Sequence, residues 1–219
     1  MYLDAVNNLT ELPVSYSNGH QPFEEVFAPW KDWEPSTISH HGRACCEIVK
    51  EWVGATDCSV MNGGNCLSGP RWIRQRFEWG PTRYPTFWCS VLKNRVLDCG
   101  VHAALAEEVF SQRGVKCFRA QMVQEFSRSA AAQWQSSWEE DDAITSWIND
   151  HTIYHEGCAV LCGTDTIKIW DSSAGWWLDP KTNKGYGSLL AVKLTSSKGS
   201  GELSWGSHSI RLNEWRAFG

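Results

Sequence analysis

The sequence predicts an α+β fold, in which one helix is followed by a run of antiparallel strands. Apolar residues recur at helical spacing after Asp98, and Gly114 stands where that helix would end. Residues 153–162 and 166–171 are rich in strand-forming side chains and flank a three-residue loop with glycine, which is typical of a β-hairpin. Further strand-like segments follow the hairpin, and elements segregated along the chain in this way favour the α+β class.

Composition and charge exclude several classes of protein. Hydrophobic residues make up 42% of the 219 residues and charged residues 21%, as in ordinary globular proteins. A formal net charge of -5 without a basic run argues against nucleic acid as a partner. No apolar stretch approaches the roughly 18 residues of a transmembrane helix, and no secretory signal is visible. We therefore expect a cytoplasmic protein with no membrane partner; the sequence makes no prediction of oligomeric state.

We predict an N-terminal arm and one domain. Residues 1–38 contain four of the eight prolines and few periodic apolar positions, so we expect an arm that wraps around the domain. Residues 39–219 are predicted to form the domain, with a helical, aromatic-rich part over 39–114 and a β-rich part over 115–219. Four aromatic side chains are predicted to anchor the arm: Phe23, Phe27, Trp30 and Trp33.

The elements of the domain are predicted from periodicity, capping residues and turns. A helix over 39–54 begins at Ser39 and ends at Gly54, and the acidic residues at the start of 139–150 suit the first turn of another helix. The remaining predicted helices are 71–79, 86–93 and the helix that Asp98 caps. The predicted strands are 115–123, 153–162, 166–171, 189–195 and 203–212.

Cys99 lies in the first turn of the helix that Asp98 caps. A thiol at this position faces unpaired backbone N–H groups and the positive end of the helix dipole, and both favour the nucleophilic thiolate. Nine cysteines in one chain are compatible with free thiols, a metal site or a nucleophile. The plainer interpretation of Cys99 alone is a small buried side chain at a helix start.

A cysteine nucleophile needs a base within hydrogen-bond reach and a third group that orients the base. The predicted hairpin offers both, with His155 on its first strand and Asp171 at the end of its second. A three-residue loop over 163–165 pairs residue 162 with residue 166, so Asp171 becomes the diagonal neighbour of His155, roughly 7–8 Å away. A two-residue loop would instead place Asp171 on the opposite face.

The segment Asp98-Cys99-Gly100, followed by Ala-Ala-Leu-Ala on a helix and then by a histidine that opens a hairpin ending in aspartate, resembles the papain-like cysteine enzymes. Within that superfamily it is most similar to transglutaminase-like proteins and bacteriocin-processing peptidases. The resemblance covers about residues 98–180 and implies a papain-like fold, with a nucleophile-bearing helix packed on an antiparallel sheet. It also implies that Cys99 is the nucleophile, His155 the general base and acid, and Asp171 the residue that orients the histidine.

Two features depart from that pattern. Glu156 and Gly157 follow His155, where transglutaminase-like proteins often have a small residue and an aromatic one. Lys93 stands six residues before Cys99, near where papain-like peptidases usually have a glutamine that stabilises the oxyanion. A backbone N–H of Cys99 or Gly100 is one alternative oxyanion donor. The side-chain candidates are Asn94, Trp88 and Ser90.

Several other residues compete for these roles. His102 is a rival base, although a side chain one turn along the helix usually points away from the helix start. Asp179 is a rival to Asp171 but lies in a predicted turn. Two sets of histidines and cysteines have metal-like spacing, but a strand or a single helix spreads each set, so no metal site or cofactor is predicted. These sets are His151, His155, Cys158 and Cys162, and His40, His41, Cys45 and Cys46.

The resemblance implies cysteine-dependent acyl transfer through an acyl thioester on Cys99, from a peptide-like or acyl-thioester substrate that includes carrier-protein-bound forms. We expect an amine acceptor and amide-bond formation, because the many aromatic side chains would keep water out of a cleft. Such a reaction is of the transglutaminase or amide-synthase type and would suit natural-product biosynthesis. The alternatives are a cysteine peptidase or amidase that uses water, and a catalytically silent binding module. Fourteen tryptophans favour an aromatic core first and a Trp-lined cleft second. The candidate cleft residues are Trp79, Trp88, Trp170, Trp176 and Trp177.

Overall fold

The structure, a computed structural model, describes residues 25–38, 71–82, 91, 94–182, 187–197 and 199–218. The described helices are the 3₁₀ helix Ala28–Trp30, α1 (Arg71–Arg76), α2 (Cys99–Gln112) and α3 (Arg128–Glu140). The described strands are β1 (Glu78–Trp79), β2 (Val96–Leu97), β3 (Cys117–Glu125), β4 (Ile148–Asn149), β5 (Thr152–Leu161), β6 (Ile167–Asp171), β7 (Trp176–Trp177), β8 (Ser188–Thr195), β9 (Glu202–Trp205), β10 (His208–Arg211) and β11 (Trp215–Ala217). No described helix is long and apolar enough to cross a membrane.

An antiparallel sheet organises the described part of the chain. Its strand order is β11-β8-β3-β5-β6-β7, and β4 pairs with β5 beside this path. The longest ladder joins β3 to β5, where Cys117 pairs with Val160 and Glu125 pairs with Thr152. Two further two-stranded sheets are separate from it: β1 and β2 form a parallel pair, and β9 and β10 form a hairpin.

Both faces of the central strand β5 are covered, so nearly all of its residues are buried. Helix α2 packs on one face, where Leu105 and Val109 join Val160 and Trp170 in one core cluster. The other face packs against the β9–β10 hairpin in a second cluster. Burial on both faces explains why β5 reads as a nearly continuous apolar segment interrupted by a few polar side chains.

The predicted α+β class is confirmed at this level, and the elements nearest the hairpin fall within two residues of their predicted bounds. The Asp98 side chain accepts a 2.9 Å hydrogen bond from the Val101 N–H and caps α2 as expected. Gly114 follows α2 with φ of 73°, a left-handed conformation that suits glycine at a helix end. The strands predicted over 115–123 and 189–195 are also present, as β3 and β8.

Three predicted elements are wrong in their bounds. The helix expected over 139–150 instead spans Arg128–Glu140, because Ser127 caps it through the Ala130 N–H and an alanine-rich turn follows. The chain turns at Asp142 (φ of 53°), so the acidic residues end this helix. The strand expected over 203–212 is the β9–β10 hairpin, since Gly206 turns with φ of 60°. The helix expected over 71–79 ends at Arg76 and is followed by β1.

The remaining predicted helices fall outside the described residues, wholly for 39–54 and largely for 86–93. The described part of the arm, residues 25–38, lies against the domain through aromatic side chains. Trp30 is fully buried and its indole donates a 3.0 Å hydrogen bond to the Ser146 carbonyl. Phe27 stacks on Trp215, and Trp33 meets Tyr154 edge-on. These three predicted anchors therefore contact the domain, while Phe23 lies outside the described residues.

Candidate active site

Cys99 is the first residue of α2 and is half-buried. Asp98 holds this helix start in place from both directions, since its carboxylate caps Val101 and its own N–H donates a 2.7 Å hydrogen bond to Thr82 Oγ1. The helix terminus was expected to favour the thiolate, but burial is the larger effect and raises the pKa of the Cys99 thiol. Contact with His155 opposes that rise, whereas the charges of Asp98 and Glu156 add to it.

His155 and Asp171 meet on one face of the β5–β6 hairpin. The observed register pairs Cys158 with Trp170 and Leu161 with Ile167, which is the register that the three-residue loop predicted. His155 Nε2 lies 3.0 Å from Asp171 Oδ2, the distance of a charge-assisted contact. The imidazole also lies near the Cys99 thiol, so that each group shifts the pKa of the other.

The electrostatics of the three groups follow from burial and mutual attraction. His155 is 7% exposed and Asp171 is 1% exposed. Burial alone would lower the pKa of His155, but the charge of Asp171, 3.0 Å from Nε2, and the nearby Cys99 thiol raise it well above the usual value. Neither Nε2 nor Oδ2 has hydrogen-bond geometry with a partner among the described residues. Burial alone would raise the pKa of Asp171, yet His155 and the Ala174 N–H lower it. Asp171 is therefore a carboxylate that favours the protonated imidazole.

A tight turn orients the Asp171 carboxylate. The Ala174 N–H donates a 3.0 Å hydrogen bond to Oδ1, and the Gly175 N–H donates a 2.8 Å bond to the Asp171 carbonyl. These bonds hold the side chain so that Oδ2 faces His155. Gly157 adds room on the opposite strand, because a Cβ there would lie 2.7 Å from the Trp170 carbonyl oxygen. The glycine after Glu156 thus permits the close approach of β5 and β6 beside Asp171.

The rival base His102 lies inside the protein rather than at the thiol. Its side chain is fully buried and meets Phe77 edge-on, with ring centroids 6.5 Å apart. Burial lowers the pKa of His102 to about 4, so the ring is neutral at pH 7. The charges of Asp171 and His155 influence the pKa of His102, so His102 lies near this pair, on the side that faces the protein interior. His155, and not His102, is among the groups that shift the pKa of Cys99.

Of the three candidate side-chain oxyanion donors, the structure describes one. Trp88 and Ser90 lie outside the described residues. Asn94 is described, and its Nδ2 is a buried donor with no acceptor in that part of the chain. The amides of Val101 and Gly100 interact with the Asp98 carboxylate, so the Cys99 N–H is the better backbone candidate.

Of the five tryptophans predicted to line a cleft, Trp170 is instead part of the core. Trp170 is 1% exposed and belongs to the core under α2. Trp79 packs among Trp134, Trp138 and Trp147 in an aromatic cluster. A buried side chain offers no surface to a ligand, so Trp170 does not line a cleft. Trp176, at 39%, and the half-buried Trp79 and Trp177 keep exposed surface; Trp88 lies outside the described residues.

The described residues that were predicted as alternative metal ligands, and the rival orienting residue Asp179, do not form a site. Among the described residues, no group of three or more His, Cys, Asp and Glu side chains is arranged to hold a metal ion. His151 interacts with Asp150 and Glu125 at the edge of the sheet, away from Cys158 in the core. Asp179 accepts a hydrogen bond from the Lys181 N–H in an exposed turn. The second set, His40, His41, Cys45 and Cys46, lies outside the described residues.

Sequence reasoning missed a buried ionic network beside the helix start. Glu156 is 1% exposed, and Arg119 Nη1 donates to it at 2.8 Å. Ser36 of the arm donates to the same carboxylate through its N–H and its hydroxyl. The available signal for this network was a charged residue, Glu156, within a largely apolar strand segment, because a carboxylate that is buried requires partners.

Comparison with known proteins found no family model, no curated protein and no solved structure that matches this chain. The geometry and chemistry of the described residues therefore carry the functional inference.

Proposed function

We propose that this protein catalyses cysteine-dependent acyl transfer through an acyl thioester on Cys99. The observation that carries the proposal is the buried His155–Asp171 pair, with Nε2 and Oδ2 3.0 Å apart, beside a half-buried thiol at a helix start whose pKa His155 lowers. Nucleophile, base and orienting carboxylate then occupy their usual order. A papain-like fold is part of the proposal, and the packing of α2 on an antiparallel sheet that carries both partners supports it.

The three groups perform the reaction in two halves. The neutral form of His155 takes the thiol proton to give a thiolate and an imidazolium that Asp171 stabilises, and the Cys99 sulfur attacks the carbonyl carbon of the acyl donor. The tetrahedral intermediate expels its amine or thiol leaving group, which receives the proton from His155. An acceptor then gives a proton to His155 and attacks the thioester, and the Cys99 thiol is regenerated with that proton. Asp171 keeps its charge throughout and stabilises the imidazolium.

Two donors suit the negative charge of the tetrahedral intermediate. The Cys99 N–H lies at the start of α2, where the helix dipole favours an anion. Asn94 Nδ2, a buried donor without an acceptor among the described residues, is the proposed side-chain donor and must be uncovered when the substrate binds. We assign to these two donors the role of the absent upstream glutamine.

Peptide-like acyl donors and acyl thioesters, free or carrier-bound, are the proposed substrates, and an amine is the proposed acceptor in preference to water. The shielding of His155 supports an acceptor that is bound and desolvated rather than drawn from bulk water. With water as acceptor, the same site would act as a peptidase or amidase.

Intact-mass analysis after incubation with small acyl thioesters, with and without an amine, tests this function. We expect an acyl adduct on the wild type that is lost in Cys99→Ala and discharged as an amide when amine is added. Cys162→Ala is the matched control, because Cys162 is also a half-buried free thiol but lies away from His155. An adduct that survives in Cys99→Ala, or that never forms with any acyl donor, would reject the proposal.

The second candidate is a binding module that keeps this arrangement without catalysis. The raised pKa of the Cys99 thiol favours it, because a protonated thiol is a poor nucleophile. Iodoacetamide labelling against pH separates the two candidates. The enzyme requires Cys99 to react faster than Cys162 near neutral pH and to slow in His155→Ala. If neither holds, the binding module stands and the acyl-transfer proposal is rejected.

A further inference from the structure

We propose that residues 33–36 of the arm, named here the strap, are part of the active site, and that Ser36 and Arg119 position Cys99 against His155. This inference rests on the proposed function. Ser36 and Arg119 act through the helix start and touch no substrate, so they are positioning residues rather than catalytic ones.

The strap is held by its backbone, through polar side chains that are themselves buried. Gln121 Nε2 donates a 2.7 Å hydrogen bond to the Trp33 carbonyl, and Arg119 Nη1 donates a 2.7 Å bond to the Ser36 carbonyl. The Ser36 N–H donates to Glu156 at 3.0 Å. Tyr154 connects these groups, since it accepts from Gln121 and donates to Glu156. Because the sheet supplies a partner for each of these backbone groups, the strap has a fixed place on the surface of the folded domain.

The strap also lies directly on the first turn of α2. A Cβ at Gly100 would overlap the Cβ and the hydroxyl of Ser36. Glycine is therefore required at position 100 by the close approach of the Ser36 side chain. Since Gly100 follows Cys99, the strap covers the turn that presents the thiol.

Arg119 ties three parts of the molecule together with one guanidinium. It donates to Glu156 on β5 at 2.8 Å and to Glu107 at 2.9 Å, two turns along α2. Nη1 also reaches the Gly100 carbonyl at 3.4 Å and the Ser36 carbonyl. A planar fork with several fixed donors suits this task, and a lysine ammonium does not.

The network therefore links the residue after Cys99 to the residue after His155. Gly100 contacts both Ser36 and Arg119, and both of these bind Glu156. Any shift of the strap changes the separation of the thiol and the imidazole. Catalytic groups must hold within about 0.5 Å of their productive geometry, and a misplacement of about 1 Å costs on the order of 100-fold in rate.

A clash-and-rescue series tests the strap. Gly100→Ala introduces a methyl group that overlaps Ser36, and Ser36→Gly removes both overlapping atoms and leaves only Asp98 Oδ1 near the methyl group, at 3.3 Å. We expect Gly100→Ala to slow the labelling of Cys99 by iodoacetamide at least tenfold, and the Ser36→Gly/Gly100→Ala double variant to recover most of that rate. Gly201→Ala is the matched control, since its added Cβ would make only ordinary contact with Leu212 at 3.5 Å.

The pH profile separates positioning from loss of stability. Contact with His155 lowers the pKa of the Cys99 thiol, so a displaced thiol should label with a midpoint at higher pH. That midpoint should no longer respond to His155→Ala in Gly100→Ala. Unchanged rate and midpoint in Gly100→Ala, or a double variant that is not rescued, would overturn the proposal. If Gly100→Ala does not fold, Arg119→Lys decides: a folded variant with the wild-type midpoint would equally overturn it.

Labelling also keeps the two proposals apart. If Cys99 reacts quickly, depends on His155 and responds to the clash and its rescue, the strap positions the pair whatever the acyl-transfer assay yields. If acyl adducts form on Cys99 at the wild-type rate in Gly100→Ala, acyl transfer stands and the strap proposal fails.

Discussion

Asp171 controls the protonation of His155, and the two side chains depend on each other for their charge. The lowered pKa of Asp171 and the raised pKa of His155 have a common cause in their 3.0 Å contact. The Asp171 carboxylate is nearly inaccessible to water, so removal of either partner leaves a poorly solvated group. Control of the imidazole is thus a property of one residue pair.

Asp171→Asn should lower the pKa of His155, because the carboxylate that raises it is gone. Imidazole proton resonances followed by NMR against pH measure the change directly. Acyl transfer by the same variant should fall by about 10³-fold or more, as expected when the base loses its orienting anion. Asp179→Asn, in an exposed turn, is the control and should change neither quantity. An unchanged His155 titration in Asp171→Asn would contradict the assigned contact.

His102 should make the protein less stable as the pH falls. Its pKa is lowered to about 4 in the folded state, against about 6.5 when unfolded, so the unfolded chain binds more protons between these values. Stability is therefore lost as the pH falls from about 6.5 towards 4, by at most about 3 kcal/mol from this group. Urea unfolding at several pH values should show a shallower dependence in His102→Phe. An identical slope in the two proteins would contradict a buried neutral histidine.

At the scale of elements, one carboxylate at the start of α2 has opposite effects on the fold and on the proposed chemistry. Asp98 stabilises the helix by capping it, yet its charge raises the pKa of the neighbouring Cys99 thiol. The β5–β6 hairpin has no such conflict, because the same register that pairs the strands brings Asp171 to His155.

Two substitutions at Asp98 should separate its cap from its charge. Asn caps helices about as well as Asp, so Asp98→Asn should keep the stability of the protein and move the labelling of Cys99 to lower pH. Asp98→Ala loses the cap and should lower the free energy of unfolding by about 1 kcal/mol. Chemical denaturation and the labelling profile measure the two effects. A shift to higher pH in Asp98→Asn would show that the cap, not the charge, dominates the thiol.

At the scale of the whole molecule, the arm is joined to the domain by aromatic packing on one side of the sheet. Trp30 is fully buried in a cluster that also contains Trp138, Trp147 and Tyr154. The strap begins three residues after Trp30, so this cluster also supports the Ser36 contacts near Cys99. Stability of the domain and geometry of the site are coupled through the arm.

Trp30→Ala should lower the free energy of unfolding by about 3–5 kcal/mol, because it empties a large buried volume. The labelling of Cys99 should slow in the variant that still folds, since the strap loses its anchor. Ile144→Ala is the control: Ile144 is 65% exposed, and its loss should stay within about 0.5 kcal/mol. Urea unfolding at pH 7 measures both, and a Trp30→Ala protein as stable as the wild type would contradict a packed arm.

The sequence by itself determined the features that depend on near neighbours in the chain. Asp98 and Gly114 mark the ends of α2 because capping is local chemistry. The three-residue loop set the β5–β6 register, which was enough to predict that His155 and Asp171 share a face. The helix over 128–140 was misplaced because acidic residues suited a helix start, while Ser127 provided the actual cap.

Only the tertiary structure decided which polar groups meet across long stretches of chain. Ser36 and Glu156 are 120 positions apart in the sequence, and Ser36 and Arg119 are 83 positions apart. No local sequence pattern therefore predicts either contact. The burial that raises the pKa of the Cys99 thiol and encloses Trp170 likewise comes from packed neighbours. Periodicity shows which face of a strand is apolar, but what covers that face depends on the whole chain.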